Sequence, residues 1–274
     1  MTLVWTSWAV TDVGTVRSAN EDALVDQPGS LLWAVADGAG GHDHGEVASA
    51  ALKAALETPL GASGADLVAE VRTRVAAVHE DMRARAAAEQ DETGRPITIA
   101  STLVVLMAMG EHFACLWCGD SRAYLLRGGQ MTQLSRDHSL VQELVDAGAL
   151  APEDAEKHPH ANVLTRAIGA DGADPEMDKI TGRAEPGDRF LLCSDGLFKV
   201  LDDRSIAAMV GGPDPARSLI DAALRGAARD NVTAIVVETT LSGGDVMARP
   251  EAAPARDPIL DGDDDDGTML MRPA

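Results

Sequence analysis

LLWAVADGAGGHDHGE, from Leu31 to Glu46, begins with six apolar residues, as a buried strand does, and then continues with Asp37-Gly38 and further glycine, histidine and acid. A carboxylate is costly to enclose at the end of a strand unless it is hydrogen-bonded, protonated or bound to a cation. One of these three conditions therefore has to hold at Asp37. The sequence around it indicates which one.

Short apolar or β-branched segments on both sides of this stretch predict strands, and helical stretches such as residues 65–88 lie between them. The segments at 99–109, 112–118 and 121–126 follow one another after turns too short for a crossover helix, so we expect them in one largely antiparallel sheet. Helices before and after would cover that sheet, which predicts an α+β domain. The predicted strands are WTSWAVTDVG, LLWAVAD, ASTLVVLMAM, HFACLWCGD, RAYLLRGG, DRFLLCSDG and VTAIVVETT.

The composition argues against several classes of protein. The chain has 274 residues, 45% of them hydrophobic, so it can bury one large core or two small ones. Its formal net charge of -21 argues against nucleic-acid binding, which needs a basic surface. MTLVWTSWAV lacks the basic region of a secretory signal, and the longest apolar stretch, residues 99–109, is too short to span a bilayer. We therefore expect a soluble, cytoplasmic protein with neither nucleic acid nor membrane as a partner.

The cysteines do not predict a metal site. Cys115 and Cys118 form a single C-x-x-C with no second pair to complete tetrahedral zinc, and three cysteines are too few for a disulfide framework. Free cysteine packs as a small hydrophobe, so we predict buried thiols in strands.

Four aspartates stand at the ends of predicted strands, each beside glycine or a polar turn residue: Asp37, Asp120, Asp195 and Asp230. Taken singly, each is a common turn former. If the strand ends converge, however, four carboxylates would repel one another unless a cation neutralised them. Oxygen ligands without His or Cys favour Mg²⁺ or Mn²⁺ over Zn²⁺.

Seven ordered blocks extend this interpretation from residue 6 to 238, and together they resemble the bacterial metal-dependent protein phosphatases, the type 2C serine/threonine phosphatases of the PPM family. The resemblance implies a four-layer α-β-β-α sandwich of two antiparallel sheets with a binuclear metal centre at one end, and a catalytic domain over residues 1–240. The second sheet comes from the resemblance alone. The blocks are TDVGTVRSANED, VADGAGGHDHGEVAS, CGDSRAY, LSRDHSLVQELVDAGAL, LTRAIG, LLCSDGL and RDNVTAIVV.

The resemblance also implies the metal ligands. Asp37 would bridge two Mn²⁺ or Mg²⁺ ions, with the carbonyl oxygen of Gly38 on one of them, and Asp195 and Asp230 would complete the pair. Glu21 would contact a metal directly or through water. Asp120, together with Asp195, resembles the third-metal site of bacterial members. The bridging hydroxide would attack phosphorus in line, without a phosphoenzyme.

Two further residues receive catalytic roles from the resemblance. Arg17, in TVRSANED, would bind two phosphate oxygens of the substrate through its planar fork, whereas a lone arginine is otherwise a solvated surface charge. His42 would protonate the departing serine or threonine oxygen, although a histidine in a glycine-rich loop is equally an exposed polar residue.

The segment 139–163 resembles the variable flap beside the active site. Its His158 and His160 have the residue type of metal ligands, but two histidines in a Pro-containing surface loop are more often solvated, and we expect that here. Asn162 would approach the third metal from the flap.

Residues 241–274 form an acidic tail that we expect to be disordered, since it is rich in Gly, Pro, Ala and Asp without an apolar period. Its acidic run is a solubilising end in the simpler interpretation. In the alternative, Thr268 is a regulatory site that is phosphorylated by a Ser/Thr kinase and bound by a forkhead-associated domain, or is a substrate of the phosphatase itself.

We predict an enzyme that hydrolyses phosphoserine and phosphothreonine in phosphorylated proteins and opposes a bacterial Ser/Thr kinase. A catalytically silent phosphoprotein-binding module is one alternative, but it would be expected to lose a metal ligand, and Asp37, Asp195 and Asp230 are all present. A phosphatase of small molecules with the same metals is the other. The sequence identifies neither the physiological substrate nor the oligomeric state.

Overall fold

The computed structural model describes residues 2–39, 44–58, 65–90, 94, 97–170 and 172–242. The strands are β1 Leu3–Asp12, β2 Asp22–Gln27, β3 Leu32–Ala39, β4 Ala100–Ser101, β5 Leu103–Met109, β6 His112–Cys118, β7 Arg122–Arg127, β8 Gln130–Gln133, β9 Asp178–Arg183, β10 Arg189–Cys193 and β11 Val232–Leu241. The helices are α1 His44–Glu57, α2 Ala65–Ala88, α3 Leu140–Asp146, α4 Asp195–Phe198, α5 Asp203–Val210 and α6 Pro215–Arg225, with a 3-10 helix at Pro152–Lys157.

The strands form two sheets in which the neighbouring strands pair antiparallel. The first sheet has the order β1-β11-β10-β7-β8. The second has the order β2-β3-β5-β6-β9, and the short β4 adds to β3. The two antiparallel sheets implied by the resemblance are thus confirmed.

The connection from β6 to β7 corrects one expectation from the sequence. We predicted that both strands belong to one sheet, but β6 pairs with β5 and β9, whereas β7 pairs with β10 and β8. Gly119 has φ +103°, a conformation that glycine adopts without strain, and the chain leaves the second sheet there. A short turn therefore does not distinguish a hairpin from a crossing between two packed sheets.

Three apolar clusters hold the layers together. Large aromatic side chains fill the space between the sheets, among them Trp33 and Phe190, whose burial is nearly complete. A second cluster packs α1 and α2 onto the second sheet, and a third packs α5 and α6 onto the first. The order of layers is therefore helix, sheet, sheet, helix, as the resemblance implies.

The cysteines are buried free thiols, as predicted from the sequence. Burial raises the pKa of Cys115 and Cys118 to about 12, so both stay protonated at neutral pH. Across the described ranges, no helix combines the length and the apolar character that crossing a bilayer requires.

Candidate metal centre

The predicted ligands of the second sheet lie at one edge of that sheet. Asp37 and Gly38 are among the last three residues of β3, Glu21 directly precedes β2, and Asp120 follows β6 by two residues. Because β2 and β3 are antiparallel, and β3, β5 and β6 alternate in direction, the start of β2 and the ends of β3 and β6 meet at the same edge. Asp22 lies directly opposite Asp37 in this register.

The first sheet presents its predicted ligands in the same way. Asp195 is the first residue of α4 and follows β10, and Asp230 lies two residues before β11. Antiparallel pairing of β10 with β11, and of β11 with β1, places these positions at one edge together with the segment after β1 that carries Arg17.

Hydrogen bonds join the two sheet edges. Asp22 Oδ2 accepts hydrogen bonds from Ser194 Oγ at 2.7 Å and from Thr233 Oγ1 at 2.6 Å, both on the first sheet. Asn231 Oδ1 accepts a bond from the backbone N–H of Glu21 at 2.8 Å. The two edges therefore form one site rather than two separate rims.

Asn231 also fixes the loop that carries Arg17. Its Nδ2 donates to the backbone oxygens of Val13 and Ala19, each at 2.9 Å. A single side-chain amide thus holds both ends of the loop after β1 beside Asp230.

Three carboxyl groups at this junction, those of Asp22, Asp37 and Asp120, have raised pKa values. Burial raises the pKa of Asp37 well above its usual range, and the charges of Asp22, Asp195, Asp120 and Asp230 raise it further. Burial is also the largest cause of the raised pKa values of Asp22 and Asp120, each about 7. The carboxylates therefore destabilise one another in their ionised form.

Two cationic side chains enter the cluster. Arg17 donates to Asp230 Oδ2 at 2.8 Å while its side chain remains half exposed. Lys199 Nζ donates to Asp195 Oδ2 at 2.5 Å. Burial lowers the pKa of Lys199, but the charges of Asp195 and Asp120 outweigh it, so the pKa is raised and the ammonium stays charged.

The donor set fits divalent cations. It consists of carboxylate oxygens, the ligands that Mg²⁺ and Mn²⁺ prefer, and Oδ1 of Asp22 is buried without a hydrogen-bond partner among the described residues. In the part of the chain that the structure describes, no three acidic, histidine or cysteine side chains already stand as close as in a finished metal site. Like charges repel, and a divalent cation would draw these oxygens together.

Glycine at position 38 allows the end of β3 to approach α1. A Cβ atom on Gly38 would lie 2.2 Å from the carbonyl oxygen of Gly45 in the first turn of the helix. The backbone N–H of Gly38 donates to the carbonyl oxygen of Glu21 at 3.1 Å. The resemblance implies that the carbonyl oxygen of Gly38 is a metal ligand. These contacts hold the backbone that carries it in place.

An isolated β-bridge joins the two ends of the flap. Ser139 forms an isolated bridge with Leu164, and the segment between them carries α3 and the 3-10 helix. Asn162 accepts a hydrogen bond from Lys199 Nζ at 2.7 Å. His158 and His160 contact each other, with ring centroids 5.6 Å apart, and His160 is exposed.

His42 and Thr268 lie outside the described residues. Sequence reasoning assigned no role to Asp22, Asn231 or Lys199. Asp22 and Asn231 are neighbours of the predicted ligands Glu21 and Asp230 in the sequence, which is the pattern that could have identified them. Lys199 follows Asp195 by four positions, the spacing at which an acid and a base meet on a helix.

Comparison with known proteins gives a consistent result. A family model described as protein phosphatase 2C matches residues 15–236. The chain is 39% identical over 242 residues to the serine/threonine protein phosphatase PstP of Mycobacterium tuberculosis. That match covers 87% of this chain but only 46% of PstP, so the chain spans less than half the length of this relative.

Two solved structures share the fold. PppA, described as a key regulatory component of T6SS in Pseudomonas aeruginosa, superimposes with a TM-score of 0.77 at 41% identity, over 86% of this chain and 99% of that one. The catalytic domain of PstP in complex with two manganese ions gives a TM-score of 0.74 at 36% identity, over 87% of this chain and 100% of that one.

Proposed function

Because the chain belongs to the protein phosphatase 2C family, we propose that it is a divalent-metal-dependent phosphatase acting on phosphoserine and phosphothreonine in proteins. The observation that carries this proposal is the meeting of two sheet edges at one cluster of carboxylates, with Arg17 beside it. The manganese ions of the PstP catalytic domain support the same chemistry in this chain. A bacterial Ser/Thr kinase is the proposed opposing enzyme, because phosphoserine and phosphothreonine in proteins are formed by such kinases.

The residues that would hold two Mn²⁺ or Mg²⁺ ions are Asp37 as the shared ligand, the carbonyl oxygen of Gly38, Asp195 and Asp230. Glu21 would bind directly or through water. Hydrogen bonds that its backbone makes with Asn231 and Gly38 hold it at the junction of the two sheets. Ions bound there would lower the pKa of a bound water molecule, so that hydroxide is available to attack phosphorus at neutral pH.

Arg17 is the proposed phosphate-binding residue. Its guanidinium group is planar and always charged, and it can bind two phosphate oxygens side by side. The bond to Asp230 keeps the group at the cluster, and the exposed half of the side chain leaves donors available to a substrate. His42 remains the proposed proton donor to the leaving oxygen.

The catalytic domain is proposed to comprise residues 1–240, with the flap at 139–163 beside the site. Residues 241–274 are proposed as a separate acidic tail, in which phosphorylation of Thr268 would create a site for a forkhead-associated domain.

The experiment that tests the activity is phosphate release from phosphothreonine and phosphoserine peptides, with EDTA, Mg²⁺ or Mn²⁺ added. Wild type should release phosphate only with a divalent ion, and Asp37→Asn should release none. Asp221→Asn on α6 is the matched control, because it removes an exposed carboxylate whose partner is Arg217.

Two outcomes would contradict the proposal. A folded wild type without release in any metal would favour the silent binding module. Faster hydrolysis of nucleotides and other small phosphate esters than of any phosphopeptide would favour a small-molecule phosphatase.

A further inference from the structure

We propose that the ammonium group of Lys199 takes the place of a third cation beside Asp195 and Asp120, and that it connects this position to the flap. The inference rests on the proposed function, because it concerns the carboxylates of the same metal centre. It departs from the third-metal site that the sequence resemblance implies, and it assigns this chain two ions rather than three.

The ammonium group of Lys199 lies between the proposed metal centre and the flap. Its Nζ lies 2.5 Å from Asp195 Oδ2 and 2.7 Å from Asn162 Oδ1. Asp195 belongs to the proposed centre, and Asn162 is the flap residue that was expected near the third metal. One oxygen of each residue therefore accepts a hydrogen bond from the same ammonium group.

Asp120, the remaining ligand of the implied third site, faces the same space. Asp120 is buried, with 7% of its surface exposed. Asp120 and Lys199 both line a cavity of about 30 Å³, together with Phe198 and residues of the flap. The cavity has room for a water molecule or two beside the ammonium group.

The lysine has two physical advantages over a free ion at this position. A positive charge already present repels a second cation within a few ångströms. The ammonium is also tethered to α4, so holding it requires no loss of translational freedom. An ion in solution would have to displace it from both Asp195 and Asn162.

The consequence concerns the flap. Asn162 is bound through Lys199 to Asp195, and therefore to the helix that begins at the proposed metal ligand. The position of the flap would not depend on the concentration of divalent ions, as it would if a third ion made the connection.

The first test counts bound ions by Mn²⁺ titration, followed by electron paramagnetic resonance and isothermal calorimetry. Wild type should bind two ions per chain. Lys199→Asp, which adds a carboxylate beside Asp120 and Asp195, should bind a third and weaker ion. Lys53→Asp is the control, since it makes the same charge change nine residues into α1, roughly 14 Å along the helix from its start, and it should bind two.

The outcomes separate this inference from the proposed function. Three ions on wild type, or two on a folded Lys199→Asp, would overturn the inference and leave the phosphatase proposal intact. A folded wild type that binds no Mn²⁺ would overturn both.

The second test measures hydrogen exchange of the flap at a fixed Mn²⁺ concentration. Lys199→Met and Asn162→Leu preserve side-chain size but remove the bond, so each should speed exchange over residues 152–163 severalfold. Lys53→Met should leave the flap unchanged. Exchange as slow as in wild type in both test variants would show that Lys199 does not hold the flap.

Discussion

At the scale of single residues, the site consists of groups that are unfavourable to the folded protein by themselves. Asp37 is the extreme case, because burial and four neighbouring carboxylates all oppose its charge. Such a site lowers the stability of the metal-free protein, and the same repulsion between carboxylates favours the binding of a cation. Substitution at Asp37 should therefore affect the metal-free and metal-bound proteins in opposite directions.

Asp37→Asn should raise the melting temperature in EDTA at pH 8, since it removes a charge that its surroundings oppose. A gain of about 1 kcal/mol corresponds to roughly 2–4 °C in a domain of this size. With Mn²⁺ at about 100 times its dissociation constant, wild type should gain about 2.7 kcal/mol and become the more stable protein. Differential scanning calorimetry would measure the reversal.

Asp221→Asn is the control for that comparison, because its carboxylate is exposed and its pairing with Arg217 is weak. It should respond to Mn²⁺ as wild type does. An Asp37→Asn variant that is stabilised by Mn²⁺ to the same degree as wild type would show that Asp37 is not a ligand.

His138 should make stability depend on pH. Its Nδ1 accepts a bond from the backbone N–H of Gly119 at 3.2 Å, and Nε2 lies 3.2 Å from Asp178 Oδ2, so the ring is neutral with its proton on Nε2. Burial lowers the pKa of His138, although Asp178 opposes this and Arg166 adds to it. Below the unfolded value of 6.5 the unfolded chain binds the proton more readily, so stability falls as the pH decreases.

His138→Asn should remove that dependence, since Oδ1 of asparagine replaces Nδ1 as an acceptor and does not titrate. Between pH 7 and pH 5 wild type should lose up to about 1 kcal/mol more than the variant, the net value of one hydrogen bond. Urea unfolding at both values of pH measures the difference. Equal losses in the two proteins would exclude His138 as the titrating group.

The residue types of the site could be predicted from the sequence, but their contacts could not. An Asp-Gly or Asp-Asn pair at a strand end is visible locally, and this located Asp37, Asp195 and Asp230 correctly at strand ends. The partners of Asp22 lie on β11 and beside β10, more than 170 positions away, so only the folded sheets bring them together.

At the scale of elements, the close contact between β3 and α1 should tolerate no side chain at position 38. Gly38→Ala places Cβ 2.2 Å from a backbone oxygen of Gly45, which a side-chain rotation cannot relieve. We expect a loss of about 1–3 kcal/mol in the free energy of unfolding, together with weaker Mn²⁺ binding. Urea unfolding and Mn²⁺ titration measure the two effects.

Gly29→Ala is the matched control, because no atom lies within 4 Å of the added Cβ and φ is not in the left-handed region. Its unfolding free energy should stay within about 0.5 kcal/mol of wild type. If Gly38→Ala unfolds at the same urea concentration as Gly29→Ala, the approach of helix and strand is not a constraint on the site.

The sequence predicted every interior strand of the two sheets, and of the edge strands it predicted β1. The strands missed from the sequence include β2, β8 and β9, and each lies at the edge of a sheet. Edge strands carry charged and polar residues that face solvent and limit pairing with other chains, so their apolar pattern is weak. The strand DKITGR illustrates this, since charged residues stand in three of its six positions.

At the scale of the whole molecule, the apolar pattern of the sequence did not show which strands belong to which of the two sheets. Interior strands of both sheets are apolar on both faces, because one face meets helices and the other meets the opposite sheet. Nothing in such a strand shows to which sheet it belongs. The family resemblance supplied the second sheet, and the crossing at Gly119 shows why turn length could not.

The same architecture predicts where the folded domain ends. β11 pairs with β1 as far as Leu241 opposite Leu3, and the backbone N–H of Ser242 donates to the carbonyl oxygen of Thr2 at 2.9 Å. A chain that ends at Ser242 therefore keeps the whole ladder. We expect it to melt within about 2 °C of the full chain and to release phosphate from a phosphothreonine peptide at the same rate.

A chain that ends at Glu238 is the informative comparison, because it removes the last three ladder positions and the buried Thr239. The hydroxyl of Thr239 donates to the carbonyl oxygen of Glu185, and its backbone N–H donates to Asp188. Loss of these bonds should cost about 1 kcal/mol each, so this chain should melt several degrees lower. If the chain ending at Ser242 melts as low as the one ending at Glu238, the acidic tail is part of the folded domain, and the proposed boundary near residue 240 is wrong.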